Sequence, residues 1–289
     1  MSVEAAPGAG PTSAPALPEL GRVRSMVDVY AALIKYSAIE QFQYRLAVYF
    51  WMIGMVAEPV IYLVVWSTVA QAQGGSVGGY TPGDFAAYYI VWTLVRNMNI
   101  VFTPLGWEWR IREGQLSAQL LRPLHPIHYD LGEFAGGKLV GIVLWLPVGA
   151  VLILAFHPTL HPSALDIVVF AIAIWGAYLI RSLNQWVMGM ITFWTTMIGA
   201  IAETWYIAEM LLSGRLVPLT LMPTWVQTVA DFLPFKWTFG YPIEALVGQL
   251  STAQLLGGVA MQALWIVVGA LAVKVVWRAG VRRYSAVGG

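Results

Sequence analysis

The chain has 289 residues, 58% of them hydrophobic and only 11% charged, and its formal net charge is +1 at pH 7. Soluble domains carry about 25% charged residues, so composition excludes an ordinary soluble enzyme and supports a polytopic membrane protein. The near-neutral balance offers nothing to nucleic acid, and the absence of cysteine removes disulfides, thiolate metal sites and cysteine nucleophiles.

Residues 1–21 are rich in Ala, Pro and Gly and lack the basic start and apolar core of a signal peptide. They are expected to form a disordered tail that stays on the protein. Val23, Val27, Tyr30 and Ile34 then recur at spacings of four, three and four, with Arg24, Asp28 and Lys35 on another face. The spacing predicts an amphipathic helix over residues 22–44, lying on the inner membrane surface.

A span needs roughly 20 mostly apolar residues. Six stretches qualify: Leu46 to Ala70, Phe85 to Thr103, Leu139 to Phe156, Leu165 to Met188, Ile191 to Leu212, and Leu255 to Val276. The fold class is therefore all-α, with six transmembrane helices. The fourth and fifth stretches nearly touch, and their turn is expected near Gly189.

Two segments break this series. Residues 106–126, "GWEWRIREGQLSAQLLRPLHP", concentrate charge between the second and third spans. Residues 213–248 are divided by Pro218, Pro223, Pro234 and Pro242 into pieces too short to cross. Trp225, Val226, Val229, Phe232 and Leu233 make an apolar face there, opposite Gln227, Thr228 and Asp231. Short re-entrant helices are expected, closing the outer end of a pathway, with an inert cap as the alternative.

Placing both termini on one side puts Arg215 and Lys236 opposite and Arg96 inside a span. The other 13 of the 16 basic residues then share the side of the termini. By the positive-inside rule that side is the cytoplasm, the membrane is the inner (plasma) membrane, and residues 106–126 form a cytoplasmic loop.

Charges inside spans are costly and usually face a cavity or a partner. Glu58, Arg96, Arg181, Glu203 and Glu209 are the candidates. They suggest either a polar translocation surface, with Glu58, Glu203 and Glu209 favouring cationic cargo, or structural pairs such as Arg181 with Glu203. "GEFAGGK", Gly132 to Lys138, fits a phosphate-binding loop, but Leu139 follows where Ser or Thr should hold magnesium. Its Gly136 and Gly137 are expected to permit close helix packing. His125 with His128, and His157 with His161, lack the further ligands that zinc requires.

The order of elements, together with "EGQLSAQLLRPLHP" and "SGRLVPLTLMPTWVQTVADFLPFKW", resembles the permease subunit of type-2 ABC exporters over the whole chain after the tail. The first motif is similar to the Glu-Gly-x-Leu, Leu-Leu-Arg-Pro motif of one bacterial branch of that group. The second matches the group's Pro-rich stretch before the last span. The resemblance implies that Arg112, Glu113, Gly114, Gln115, Leu116, Leu120, Leu121, Arg122 and Pro123 form a coupling helix and its turn, docked on a separate ATPase. Leu116, Leu120 and Leu121 would supply an apolar ridge and the charges its register. The residues alone equally allow a surface loop whose arginines merely obey the positive-inside rule.

The resemblance further implies that the chain has no catalytic site and binds no cofactor. ATP and Mg would enter through an ATPase dimer, and a second copy or a sister permease would complete the pathway. Pro218, Pro223, Trp225, Val229, Phe232 and Pro234 would form the outer gate. The cargo would be a lipophilic or amphipathic small molecule, or alternatively a glycan or lipid. A self-contained secondary transporter or channel calls for broken helices in both halves, and only the C-terminal half shows one. A membrane-embedded enzyme lacks a catalytic cluster.

Overall fold

The computed structural model describes residues 22–195, 197–248 and 250–284. The tail proposed for residues 1–21 lies outside them. Eleven α-helices follow in order among the described residues: α1 (Arg22–Gln43), α2 (Arg45–Ala72), α3 (Pro82–Met98), α4 (Pro104–Arg112), α5 (Gln115–Leu120), α6 (Pro126–Phe156), α7 (Ala164–Met190), α8 (Gly199–Leu212), α9 (Thr224–Asp231), α10 (Gly240–Val247) and α11 (Thr252–Val281). No strand is formed among the described residues beyond one isolated bridge, Val77 with Tyr80. The protein is an all-α membrane protein.

Local chemistry places the helix starts. Thr81 with Asp84, Ser163 with Asp166, and Ser251 with Gln254 form reciprocal capping boxes on α3, α7 and α11. Pro104 and Pro126 stand at the first turns of α4 and α6, where a missing N–H costs nothing. Thr159, after α6, donates to Asp84 at 2.6 Å. The end of α6 and the starts of α3 and α7 therefore share one end of the bundle.

Against the six expected spans, four helices among the described residues are long and apolar enough to cross a membrane: α2, α6, α7 and α11. Their outward residues, such as Phe50 (76% exposed) and Leu154 (74%), are apolar because lipid, not water, is their solvent. The second and fifth fall short. At 1.5 Å per residue the 17 residues of α3 rise only about 25 Å. The helix is also polar for a span, because it is encased in protein: Phe85 to Val95 are all buried against α2, α7 and α10. The fifth stretch is broken. A short 3₁₀ turn over Ile191–Phe193 ends α7, and α8 resumes at Gly199 for 14 residues. Helix α6 begins 13 residues earlier than expected, at Pro126 rather than Leu139, so "GEFAGGK" is helical and not a phosphate loop.

Helix α1 packs along the first half of α6. A β-carbon on Gly136 would overlap the Ile34 carbonyl oxygen and Ser37, and one on Gly132 would overlap Leu33. Ser37 donates to the Glu133 carbonyl at 2.5 Å, and Tyr30 meets His128 Nδ1 at 2.8 Å. The packed face is thus Tyr30, Leu33, Ile34 and Ser37, while Val27, expected on it, is 61% exposed.

Candidate functional site

Two places gather polar chemistry. At one end of the bundle, α4 and α5 fold across the ends of α6, α7 and α11. Trp107 is fully buried, with Trp186 at 4.4 Å and Trp277 at 6.1 Å between ring centroids. Gly189 permits this, since a β-carbon there would strike the Trp107 ring. Beside it, Arg110 makes two 3.0 Å hydrogen bonds to Asp130 and lies 4.0 Å over the Phe102 ring. Both partners are 8% exposed. Glu108 accepts from the Ile198 N–H at 2.9 Å, and from Arg112, which ties α4 to the start of α8. The Ile198 amide and then Arg112 hold the Glu108 carboxylate below its usual range.

The expected ridge divides at this point. Gly114 takes a left-handed conformation (φ 69°) that turns α4 into α5. Leu116 is fully buried among Trp107, Ile127 and Met190, so it anchors α5 and is not available to a partner. Leu121 is 88% exposed, and Leu120, Arg122, Pro123, Arg112, Glu113 and Gln115 are exposed around it.

The second place is a polar layer within the bundle. Pro59 cannot donate to the Met55 carbonyl one turn back, and Arg96 of α3 donates to that carbonyl instead at 3.3 Å. The same guanidinium binds Glu58 at 2.6 Å. Arg215, in the loop after α8, holds the other side of Glu58 at 3.0 and 3.2 Å. Both arginines lie over the Trp92 ring. The loop that aims Arg215 is pinned by Tyr88, donating to the Gly214 carbonyl at 2.6 Å, and Tyr89, donating to the Leu216 carbonyl at 2.9 Å. Arg181 of α7 pairs with Glu209 of α8, not with Glu203, which is exposed. Glu203 and Glu209 are more than a helical turn apart along α8, and of the two it is Glu209 that reaches α7.

In residues 213–248 the pieces stay short: α9 and α10 have eight residues each. Pro218 and Pro234 are buried, and Pro223 precedes α9. Val226 and Ala230 turn inward, whereas Trp225 (67%), Val229 (41%) and Phe232 (76%) face out as an apolar patch. Helix α10 is buried, with Asn99, the C-cap of α3, donating to the Thr238 carbonyl just before it at 2.6 Å.

A family model described as "ABC-2 family transporter protein" matches residues 56–288, most of the chain. The chain belongs to this family. It is a permease subunit of a type-2 ABC transporter, as the two motifs implied. The matched region holds both the α4–α5 end and the polar layer. No curated protein matches the chain. A permease of this family works in an ABC transporter system with an ATPase partner, and the apolar helices make this one a multi-pass membrane protein.

Sequence reasoning missed three residues of the permease's polar framework. Arg110 was counted among loop charges although it is buried with Asp130, and Arg215 was placed on the outer side although it reaches Glu58. Lys138, also counted as a loop charge, is buried and donates to the Asn97 carbonyl at 3.0 Å. No local signal marks Arg215, whose partner lies 157 residues away.

Proposed function

We propose that this permease is the transmembrane half of an ATP-driven exporter, with both termini cytoplasmic. It forms the pathway with a second copy or a sister permease, and α5 docks on a separate ATPase dimer that alone binds ATP and Mg. The chain itself is not an enzyme. The shorter α3 and α8 complete six crossings, α3 inside protein and α8 beside the polar layer. Residues 213–248 dip in from the outer side and close it. Cargo is a lipophilic or amphipathic small molecule, or a lipid or glycan of the same transporter class.

One observation carries the coupling role. Leu121, Leu120 and Arg122 stand exposed on a short helical arm whose other face is locked into the bundle by Leu116, Trp107 and the Arg110–Asp130 pair. The same arm reaches the start of α8 through Glu108 and Ile198, and α8 carries Glu209 into the polar layer. A push on α5 therefore has a rigid route to that layer. Leu121→Asp replaces an exposed apolar contact by a charge and leaves Leu116 in place. Co-purification of the ATPase should fall about ten-fold, the change that about 1.4 kcal/mol gives, while membrane insertion is unchanged. Undiminished co-purification and transport would overturn the coupling role.

A further inference from the structure

We infer that the polar layer holds a binding site for an anionic group, a phosphate or carboxylate, and that the cargo carries this group on an apolar body. The site is a cavity of about 220 Å³ bounded by α3, α7, α8 and the loop after α8. Arg96, Arg181 and Arg215 line it, with Gln185, Tyr206 and Asn99, and no carboxylate is among its lining residues. Glu58 and Glu209 stand behind the arginines and neutralise two of the three positive charges, leaving a surplus of one.

Hydrogen bonding points the same way. Gln185 is 2% exposed; its Oε1 accepts from Tyr206, but its Nε2 has no partner among the described residues. The Nε donors of Arg181 and Arg215 are also unpartnered. Buried donors left unpaired are costly, and charged side chains in a membrane protein mark ion or substrate routes. The planar guanidinium fork can meet two oxygens of a carboxylate or a phosphate at once. The small volume also decides something. Pockets for drug-sized ligands run about 300–1,000 Å³, so this one seats a head group and leaves the apolar body outside, against the lipid-facing helices.

An anion site stands against the cation-favouring alternative that the sequence left open beside structural pairing. Glu58 and Glu209 are each paired with arginine and Glu203 is exposed and does not line the cavity, so the surplus positive charge disfavours a cation even though Asn99 Oδ1 and Glu209 Oε2 are unpartnered acceptors among the described residues. That the anion is cargo rests on the exporter reading above; that it binds does not.

The test uses the purified full chain in non-ionic detergent, without ATPase or ATP, so that a failure of coupling leaves it unaffected. Radiolabelled dodecyl phosphate should bind saturably and about ten-fold more tightly than dodecyltrimethylammonium, the difference made by one or two charge-assisted hydrogen bonds. Inorganic phosphate then separates the sources: competition marks a free-anion site, and its lack marks an amphiphile whose head group alone is seated. Arg215→Gln should weaken dodecyl phosphate about ten-fold, while Arg278→Gln, the same charge change on α11, should not. Arg96 still holds Glu58 in Arg215→Gln, and a melting curve checks its fold. If that variant does not fold, the anion-over-cation preference of the unaltered chain still decides. Equal binding of the two amphiphiles, or equal weakening by the two variants, would overturn the site.

Discussion

Arg110 and Asp130 form a pair whose worth is best seen by breaking it. Each is nearly enclosed, with two hydrogen bonds between them and aromatic rings on the other side. Removing one partner from a buried pair typically costs about 3–5 kcal/mol, because the other charge is left without compensation. Arg110→Gln should lower the detergent melting temperature and loosen α4, whereas Arg112→Gln, an exposed i,i+4 partner of Glu108, should change it little. Equal melting temperatures for the two variants would contradict the anchoring role. His125 adds a pH dependence at the same end. It caps α6 and lies 4.4 Å from the Trp277 ring. Burial, with the nearby His128 second, pushes its imidazole down to about 4 from 6.5. The unfolded chain therefore binds a proton that the folded chain refuses between these values. Stability is full above pH 6.5 and falls as pH drops toward 4. His125→Asn, which keeps a cap without that titration, should flatten the loss of melting temperature between pH 7 and 4.5; an unchanged slope would rule His125 out as its source.

At the scale of elements, the two short-helix regions show how far pattern reading reaches. The sequence placed "EGQLSAQLLRPL" correctly as a turn and a short helix, because Gly114 and Pro123 are local signals. It could not say which leucine of Leu116, Leu120 and Leu121 faces inward, because on a six-residue helix that depends on where Trp107 and Met190 are brought by other helices. The same limit applies to α9. Its proline boundaries and apolar face were legible, but not that Val226 of this face turns inward with Ala230 while Trp225, Val229 and Phe232 face out. An outward patch of this kind suits lipid or a second permease rather than water. If α9 moves as a gate against its counterpart, Thr228→Cys, exposed on α9 in a chain without native cysteine, should allow an intersubunit crosslink that stops transport. Full transport by a verified crosslinked pair would leave α9 as an inert cap.

For the whole molecule, topology is the property most open to test. Of the thirteen basic residues assigned to the side of the termini, Arg110 and Lys138 are buried, and Arg181 is half-buried and paired with Glu209 inside the bundle. The remaining ten still outnumber Lys236 and the inward-turned Arg215, so a reporter fused after Gly289 should be cytoplasmic and a tag in residues 74–79 should be reached from outside. External labelling of the C-terminus would require a different number of crossings. The membrane class, the order of elements and the permease family were determined by the sequence itself. Hydropathy over some 20 residues, capping boxes, prolines and a short charged motif are local, and local energies survive without knowledge of the fold. The tertiary structure alone decided that α3 is a short helix wrapped in protein, that Leu116 is an anchor, and that Arg181 takes Glu209 while Arg96 and Arg215 share Glu58. Those pairings join residues 28, 38 and 157 positions apart. A buried charge settles on whichever opposite charge the packing of helices brings within reach, and no periodicity along the chain encodes that choice.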